Sequence, residues 1–115
     1  MEKKAEECRV GDALNILVGK WKPIILLHLF EHGTLRFNEL KRKMPGITQK
    51  MLTQQLRELE EEDLIHREVY PQVPPKVEYS ITEYGQSIEP VLEVMHEWGL
   101  AHLLHKQKSK KATII

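Results

Sequence analysis

The chain has 115 residues, 41% hydrophobic and 30% charged, with 17 basic and 17 acidic side chains that cancel. That length supports one hydrophobic core and is short for two, and zero net charge excludes a partner held by bulk attraction, so a polyanion would have to be met by a local patch. No segment approaches the roughly 20 apolar residues that cross a bilayer.

The longest apolar run, residues 23–30, is interrupted by His28, and the first seven residues carry no apolar signal core. A single domain over residues 1–115, cytoplasmic and without a membrane partner, is therefore expected. Cys8 stands alone, which excludes an internal disulfide and gives no support to a cysteine-based zinc site.

In chain order, Ala13, Leu14, Leu17 and Val18 form an apolar stripe that predicts a first helix over residues 11–18, broken at Gly19. A second begins at Lys22-Pro23, where proline suits a first helical turn, and ends at Gly33. It is apolar nearly all round, which predicts a core element against which the others dock. Residues 34–36 read as a short extended piece and residues 37–43 as a two-turn helix closed by Met44-Pro45-Gly46. Thr48 then supplies an N-cap, with Ile47 and Leu52 as a hydrophobic staple, for a helix running to about Glu62. Asp63 falls where a left-handed cap is wanted, a conformation Asp tolerates.

From residue 66 the pattern changes. Residues 66–70 and 76–81 have the β-branched and aromatic content of strands, and the proline-rich residues 71–75 turn the chain between them. Thr82 is expected to cap a long final helix, with Pro90 kinking it or marking a break. Lys106 opens a basic tail, about residues 106–115, expected to be disordered. The fold class is mainly α with a small β-hairpin, ordered as a winged helix-turn-helix in which the hairpin is the wing.

The fourth helix carries the chemistry. Met51, Leu52, Leu56 and Leu59 recur at helical intervals and are expected to pack inward, while Lys50, Thr53, Gln54 and Arg57 recur at i, i+3, i+4 and i+7 on the other side. A major groove about 12 Å wide accepts a helix, and glutamine pairs bidentately with adenine there. Gln49, Lys50, Thr53 and Gln54 are thus expected to enter the groove beside the cap Thr48, with Arg57 on the backbone. Arg36, Lys41 and Arg42 are placed on phosphates, and Lys76 of the wing on a flanking phosphate or the minor groove. Residues 34–57 hold six cations against Glu39 alone, a net of plus five, and residues 58–63 follow with five carboxylates. Such blocks suit a helix that meets phosphate first and leaves it later, although charge runs also occur on plain solvated faces.

The terminal helix has more apolar residues than a three-helix core absorbs. Exposed Val91, Met95, Trp98 and Leu103 would make a patch of the kind that marks an interface. A two-fold homodimer through this helix and the first one, at Leu14, is expected, with a pseudo-palindromic double-stranded DNA operator to match. The alternative is a terminal helix folded back on its own core.

His28-Leu29-Phe30-Glu31-His32 fits the H-x-x-E-H pattern of an inverted zinc peptidase, the one enzymatic reading the sequence offers. Catalytic zinc also needs a third ligand and an open cleft, and the motif falls on the expected core helix. No catalytic residue, cofactor or metal is therefore assigned. His102 and His105 admit a metal-sensing site shared with a partner subunit, weighed against solvated histidines.

Several motifs in order carry a family resemblance: Gly19-Lys20-Trp21, Arg36-Phe37-Asn38-Glu39-Leu40, the run Pro45-Gly46-Ile47-Thr48-Gln49-Lys50-Met51-Leu52-Thr53-Gln54-Gln55-Leu56, Leu59-Glu60, and Val73-Pro74-Pro75-Lys76-Val77-Glu78-Tyr79. Together they resemble the HxlR-type bacterial transcriptional regulators, relatives of the MarR group, from about Cys8 to Gly99. The resemblance implies a dimeric winged-helix protein, without enzymatic activity, that controls a nearby operon by occupying an operator. The chain departs from the family pattern at Asp63, where a glycine is frequent, and at Cys8-Arg9, where many members have Cys-Pro.

In some relatives the N-terminal cysteine senses oxidants or electrophiles, and Cys8 matches that position. Two readings of it stand, a redox sensor and a small buried hydrophobe. Lys3, Lys4 and Arg9 would lower its pKa, and Glu6 and Glu7 would raise it. Sensing would need an intermolecular disulfide or a thiol adduct, because the chain has no second cysteine. A winged helix that docks on protein is the alternative within binding modules, and the small-molecule or redox effector is left unassigned.

Overall fold

The computed structural model describes residues 4–113. A 3-10 turn (Ala5–Glu7) leads into α1 (Val10–Ile16) and α2 (Trp21–His32), then β1 (Leu35–Arg36), α3 (Phe37–Lys43), α4 (Gln49–Glu61), β2 (Ile65–Tyr70), β3 (Lys76–Ile81), a second 3-10 turn (Tyr84–Ile88) and α5 (Glu89–Thr113). The order is that of a winged helix-turn-helix, with α3 and α4 as the helix pair and the β2–β3 hairpin as the wing.

The core forms where α2 presents Ile25, Leu26 and Leu29 to Leu40 of α3 and to Leu52, Leu56 and Leu59 of α4, all essentially inaccessible to water. Neighbours cover this side of α2, while Leu27, Glu31 and His32 remain exposed. Met51 is the exception to the expected stripe, being 41% exposed. Leu52, Leu56 and Leu59 already fill the inward arc at i, i+4 and i+7, and Met51 lies about 100° away from Leu52 on the helix.

Local chemistry fixes both ends of α4. Pro45 and Gly46 occupy the centre of a tight turn closed by Ile47 N–H donating to the Met44 carbonyl at 3.2 Å. Gly46 has φ of 93° there, which a side chain would resist. Thr48 Oγ1 then accepts from Met51 N–H at 3.0 Å, satisfying one of the orphan donors of the first turn. At the far end Asp63 takes φ of 60°, and Asp63 and Leu64 N–H donate to the carbonyls of Glu60 and Leu59 at 2.9 and 3.1 Å. That paired pattern is a Schellman closure with aspartate in the usual glycine position.

The sheet is larger than the expected hairpin. It has three antiparallel strands in the order β1-β3-β2, because the short extended piece pairs Leu35 with Tyr79 and Arg36 with Glu78. Val77, Tyr79 and Ile81 alternate toward the core, as a period of two requires.

Two further expectations change, and of the two readings of Pro90 one holds. Thr82 caps the second 3-10 turn rather than α5: its hydroxyl accepts from Gly85 N–H at 2.8 Å and donates to the Asp63 carbonyl at 2.6 Å. Pro90 lies in the first turn of α5, where its missing N–H costs nothing, so it marks a break and bends no helix. The basic segment from residue 106, expected as a disordered tail, continues α5 to Thr113; residues 114–115 lie outside the described residues. No single helix among the described residues is long and apolar enough to cross a membrane.

Candidate nucleic-acid interface

The polar side of α4 stands free of the core. Gln49, Lys50, Thr53, Gln54 and Arg57 are all exposed, as is the cap Thr48, while Gln55 is half-buried. Two of these side chains are held in place. Thr53 Oγ1 donates to the Gln49 carbonyl at 2.8 Å, leaving its lone pairs outward, and Gln54 Nε2 donates to Glu58 Oε1 at 3.2 Å. Glu58 in turn accepts from Lys22 Nζ at 2.8 Å through its other oxygen. The Lys22 hydrogen bond, followed by that from Gln54, holds the Glu58 carboxyl below the ordinary glutamate value against the opposing effect of desolvation.

Lys22 was not among the residues singled out from sequence. It is buried, 6% exposed, inside the first turn of α2. The signal was present, because a lysine within an apolar helix is rarely buried without a partner. What sequence could not supply was the identity of that partner, 36 positions away.

The proposed phosphate contacts fall on two neighbouring surfaces. Arg36 and Arg42, with Asn38 and Glu39, line a cleft of about 500 Å³ at the start of α3, and Lys41 is exposed on the same helix. Glu39 is occupied locally, accepting from Arg36 N–H at 2.9 Å to close the N-terminus of α3. Arg36 also shares a groove of about 430 Å³ with Pro74, Pro75 and Lys76, so α3 and the wing meet at one edge.

Lys76 is expected to reach a flanking phosphate or the minor groove. It is half-buried, its ammonium 3.1 Å from Glu78 Oε1 and 4.6 Å from the Tyr70 ring centroid. Arg67 is the wing cation that sequence reading missed. Strand register puts it opposite Tyr79, and it lines a cleft of about 290 Å³ with Thr53, Arg57, Glu60 and Tyr79. Two guanidinium-bearing residues thus border the space between α4 and the sheet.

The apolar face expected for dimerisation is uncovered in the single chain. Val91 is 44%, Met95 45%, Trp98 68% and Leu103 55% exposed, and Leu14 of α1 is 56% exposed. Val94, Leu100 and Leu104 are exposed on α5 as well, and Leu92 is the residue of this helix in the core. The alternative of α5 folded back on its own domain does not occur. Cys8 is half-buried and free of disulfide, and Arg9, considered as a neighbouring cation, is instead paired with Asp12 at 3.0 Å. Lys3 lies outside the described residues.

A polar helix face projecting from a helix pair, with a three-stranded sheet and its hairpin wing beside it, defines a winged helix-turn-helix of the DNA-binding regulator class. The comparisons agree. The profile of HxlR-like helix-turn-helix proteins matches residues 16–107, and the chain belongs to that family. It is 56% identical over 103 residues to the HTH-type transcriptional regulator YtcD of Bacillus subtilis, covering 90% of this chain and 81% of that one. Among solved structures, the redox regulator HypR in its reduced form superposes with a TM-score of 0.79 at 50% identity, covering 86% of this chain and 99% of that one. The reduced form of the transcriptional regulator YodB from B. subtilis superposes with a TM-score of 0.70 at 36% identity, covering 78% and 87%. The chain is a transcriptional regulator of the HxlR and MarR type and not an enzyme, so the peptidase reading of residues 28–32 is set aside.

Proposed function

We propose that the protein occupies a pseudo-palindromic DNA operator as a homodimer in the cytoplasm. Gln49, Lys50, Thr53 and Gln54 would read base edges, and Arg36, Lys41, Arg42, Arg57 and Lys76 would hold phosphates. The observation that supports this most is the sidedness of α4, whose Leu52, Leu56 and Leu59 are sealed in the core while its amides and cations are exposed. Lys76 must exchange Glu78 for a phosphate, so its contribution is smaller than that of Arg36 or Arg42. Arg67 joins the phosphate set through its place beside Arg57.

The uncovered apolar side of α5 supports the two-fold assembly, since soluble single chains rarely leave so many large apolar residues in water. A two-fold pair aims two α4 helices at half-sites about 34 to 36 Å apart. Fragments selected from a random DNA pool and titrated by fluorescence anisotropy test the reading. A palindromic consensus and an affinity that falls steeply between about 50 and 200 mM salt are expected. Binding only to protein, or DNA affinity that is flat with salt, would sink it in favour of a protein-docking winged helix.

Oxidant modulation through Cys8 is the regulatory part of the proposal. It is supported by the likeness to HypR, named a redox regulator, and by the partial exposure of residue Cys8. With one cysteine per chain, a two-electron oxidant would join the sulfurs of two subunits, each thiol losing its proton, or an electrophile would add to one thiolate.

A further inference from the structure

The last turn of α2 gathers three metal-ligating side chains. His28, Glu31 and His32 stand at i, i+3 and i+4, which a helix brings to one side, and one ligand atom from each lies within 4.8 Å of the other two. The imidazoles are 18° from parallel with centroids 6.1 Å apart, and His32 Nε2 is 3.4 Å from Glu31 Oε2. Nδ1 of His28 is buried and has no hydrogen-bond partner. The same imidazole also has a hydrogen-bonding interaction with the Lys43 backbone at the end of α3, so the ring is held on that side.

By sequence the motif falls on the core helix, where an open cleft is not expected. Tertiary structure divides it. Leu29 is sealed in the core, whereas Glu31 and His32 are exposed and His28 is half-buried, so the ligand-bearing side opens to solvent. The third ligand that seemed to be missing is Glu31 itself.

We propose that this end of α2 binds a first-row divalent cation of the zinc class through His28, Glu31 and His32, with a fourth position open to water. Two imidazoles and one carboxylate match the borderline character of zinc, whereas calcium and magnesium favour all-oxygen sets. Donors of a tetrahedral zinc lie roughly 3.4 Å apart, given bonds of about 2.0 to 2.1 Å. Binding would require side-chain rotation to close ligand-atom separations that now reach up to 4.8 Å. The C-terminal turn of α2 adds its own attraction, because its unpaired carbonyls carry the negative end of the helix dipole. Lys43, at the end of α3 and electrostatically coupled to His28, works against the cation and limits affinity. The cation would act as a staple across one helical turn beside α3. It depends on neither DNA binding nor dimerisation.

Zinc titrated into the reduced full-length chain by calorimetry, with cobalt absorption reporting the ligand set, provides the test. One equivalent per chain is expected, with affinity reduced at least about tenfold in His32→Ala and in Glu31→Gln. His32 and Glu31 are exposed, so both variants should keep the wild-type circular dichroism. Cys8→Ser and the double variant His102→Ala/His105→Ala should bind as wild type, and zinc should raise the melting temperature of the wild-type chain but not of His32→Ala. Absence of zinc binding, its retention in His32→Ala, its loss in the His102/His105 variant, or a thiolate-to-cobalt band would each overturn the assignment.

Discussion

The Lys22 ammonium sits 2.8 Å from Glu58 Oε2 and ties the first turn of the core helix to the edge of α4. The partners differ in solvation, with side chains 8% and 37% exposed. Glu58→Gln leaves a buried ammonium without a counter-charge and should destabilise the fold by about 1 to 3 kcal/mol. Lys22→Met leaves a carboxylate that water still reaches, so its cost should be smaller. Urea midpoints of the two variants give the order, and the reverse order would mean the pair is organised by Glu58 alone.

The same pair sets a pH dependence. Because the folded-state Glu58 value lies below its ordinary one, the unfolded chain takes up a proton first as pH falls. The stabilisation is full above the ordinary glutamate range and is lost as pH drops through it toward the lowered value. Wild-type stability should therefore fall more steeply below that range than the stability of Lys22→Met, as urea titrations at stepped pH would reveal.

Base reading and phosphate holding separate in mutational data. Gln54→Ala should cost about 1 to 3 kcal/mol on the selected operator and relax preference at one base pair. Arg42→Ala should weaken all sequences alike and lower the salt slope by about 1. If the two variants behave identically on operator and scrambled DNA, α4 does not lie in the groove as proposed.

Gly85 is required by close packing. A Cβ at this position would overlap the Leu64 carbonyl oxygen and crowd Ile81, at the point where Thr82 pins the end of the sheet to Asp63 and Leu64. Gly85→Ala should destabilise by about 1 to 3 kcal/mol, as overpacking does. A chemical denaturation curve equal to wild type would mean the second 3-10 turn can shift away without loss.

Association should reside in α5. Trp98 and Met95 are exposed at 68% and 45%, so Trp98→Glu should leave the core helices intact while converting a dimer to a monomer by light scattering. Operator affinity should fall with it, since one α4 meets one half-site. Cys8→Ser should in turn abolish oxidant-dependent release from DNA while leaving binding under reducing conditions unchanged.

Much of this protein is determined by local sequence. Thr48 before an amphipathic run, Pro45-Gly46 in a turn and Asp63 after the last helical leucine specify where α4 starts and stops, because caps and turns depend on neighbours a few residues apart. The split of α4 into apolar and polar sides follows from helical periodicity alone. Tertiary structure decided the rest, through contacts that cross long stretches of chain. It added Leu35-Arg36 to β3 as a third strand, matched Lys22 with Glu58, brought Arg67 beside Arg57, drew Lys76 onto Glu78 and turned His32 and Glu31 outward from a helix that reads as wholly interior. Periodicity tells a side chain which face of its own helix it occupies; only the packing of other elements tells it whether that face meets water, a core or a countercharge.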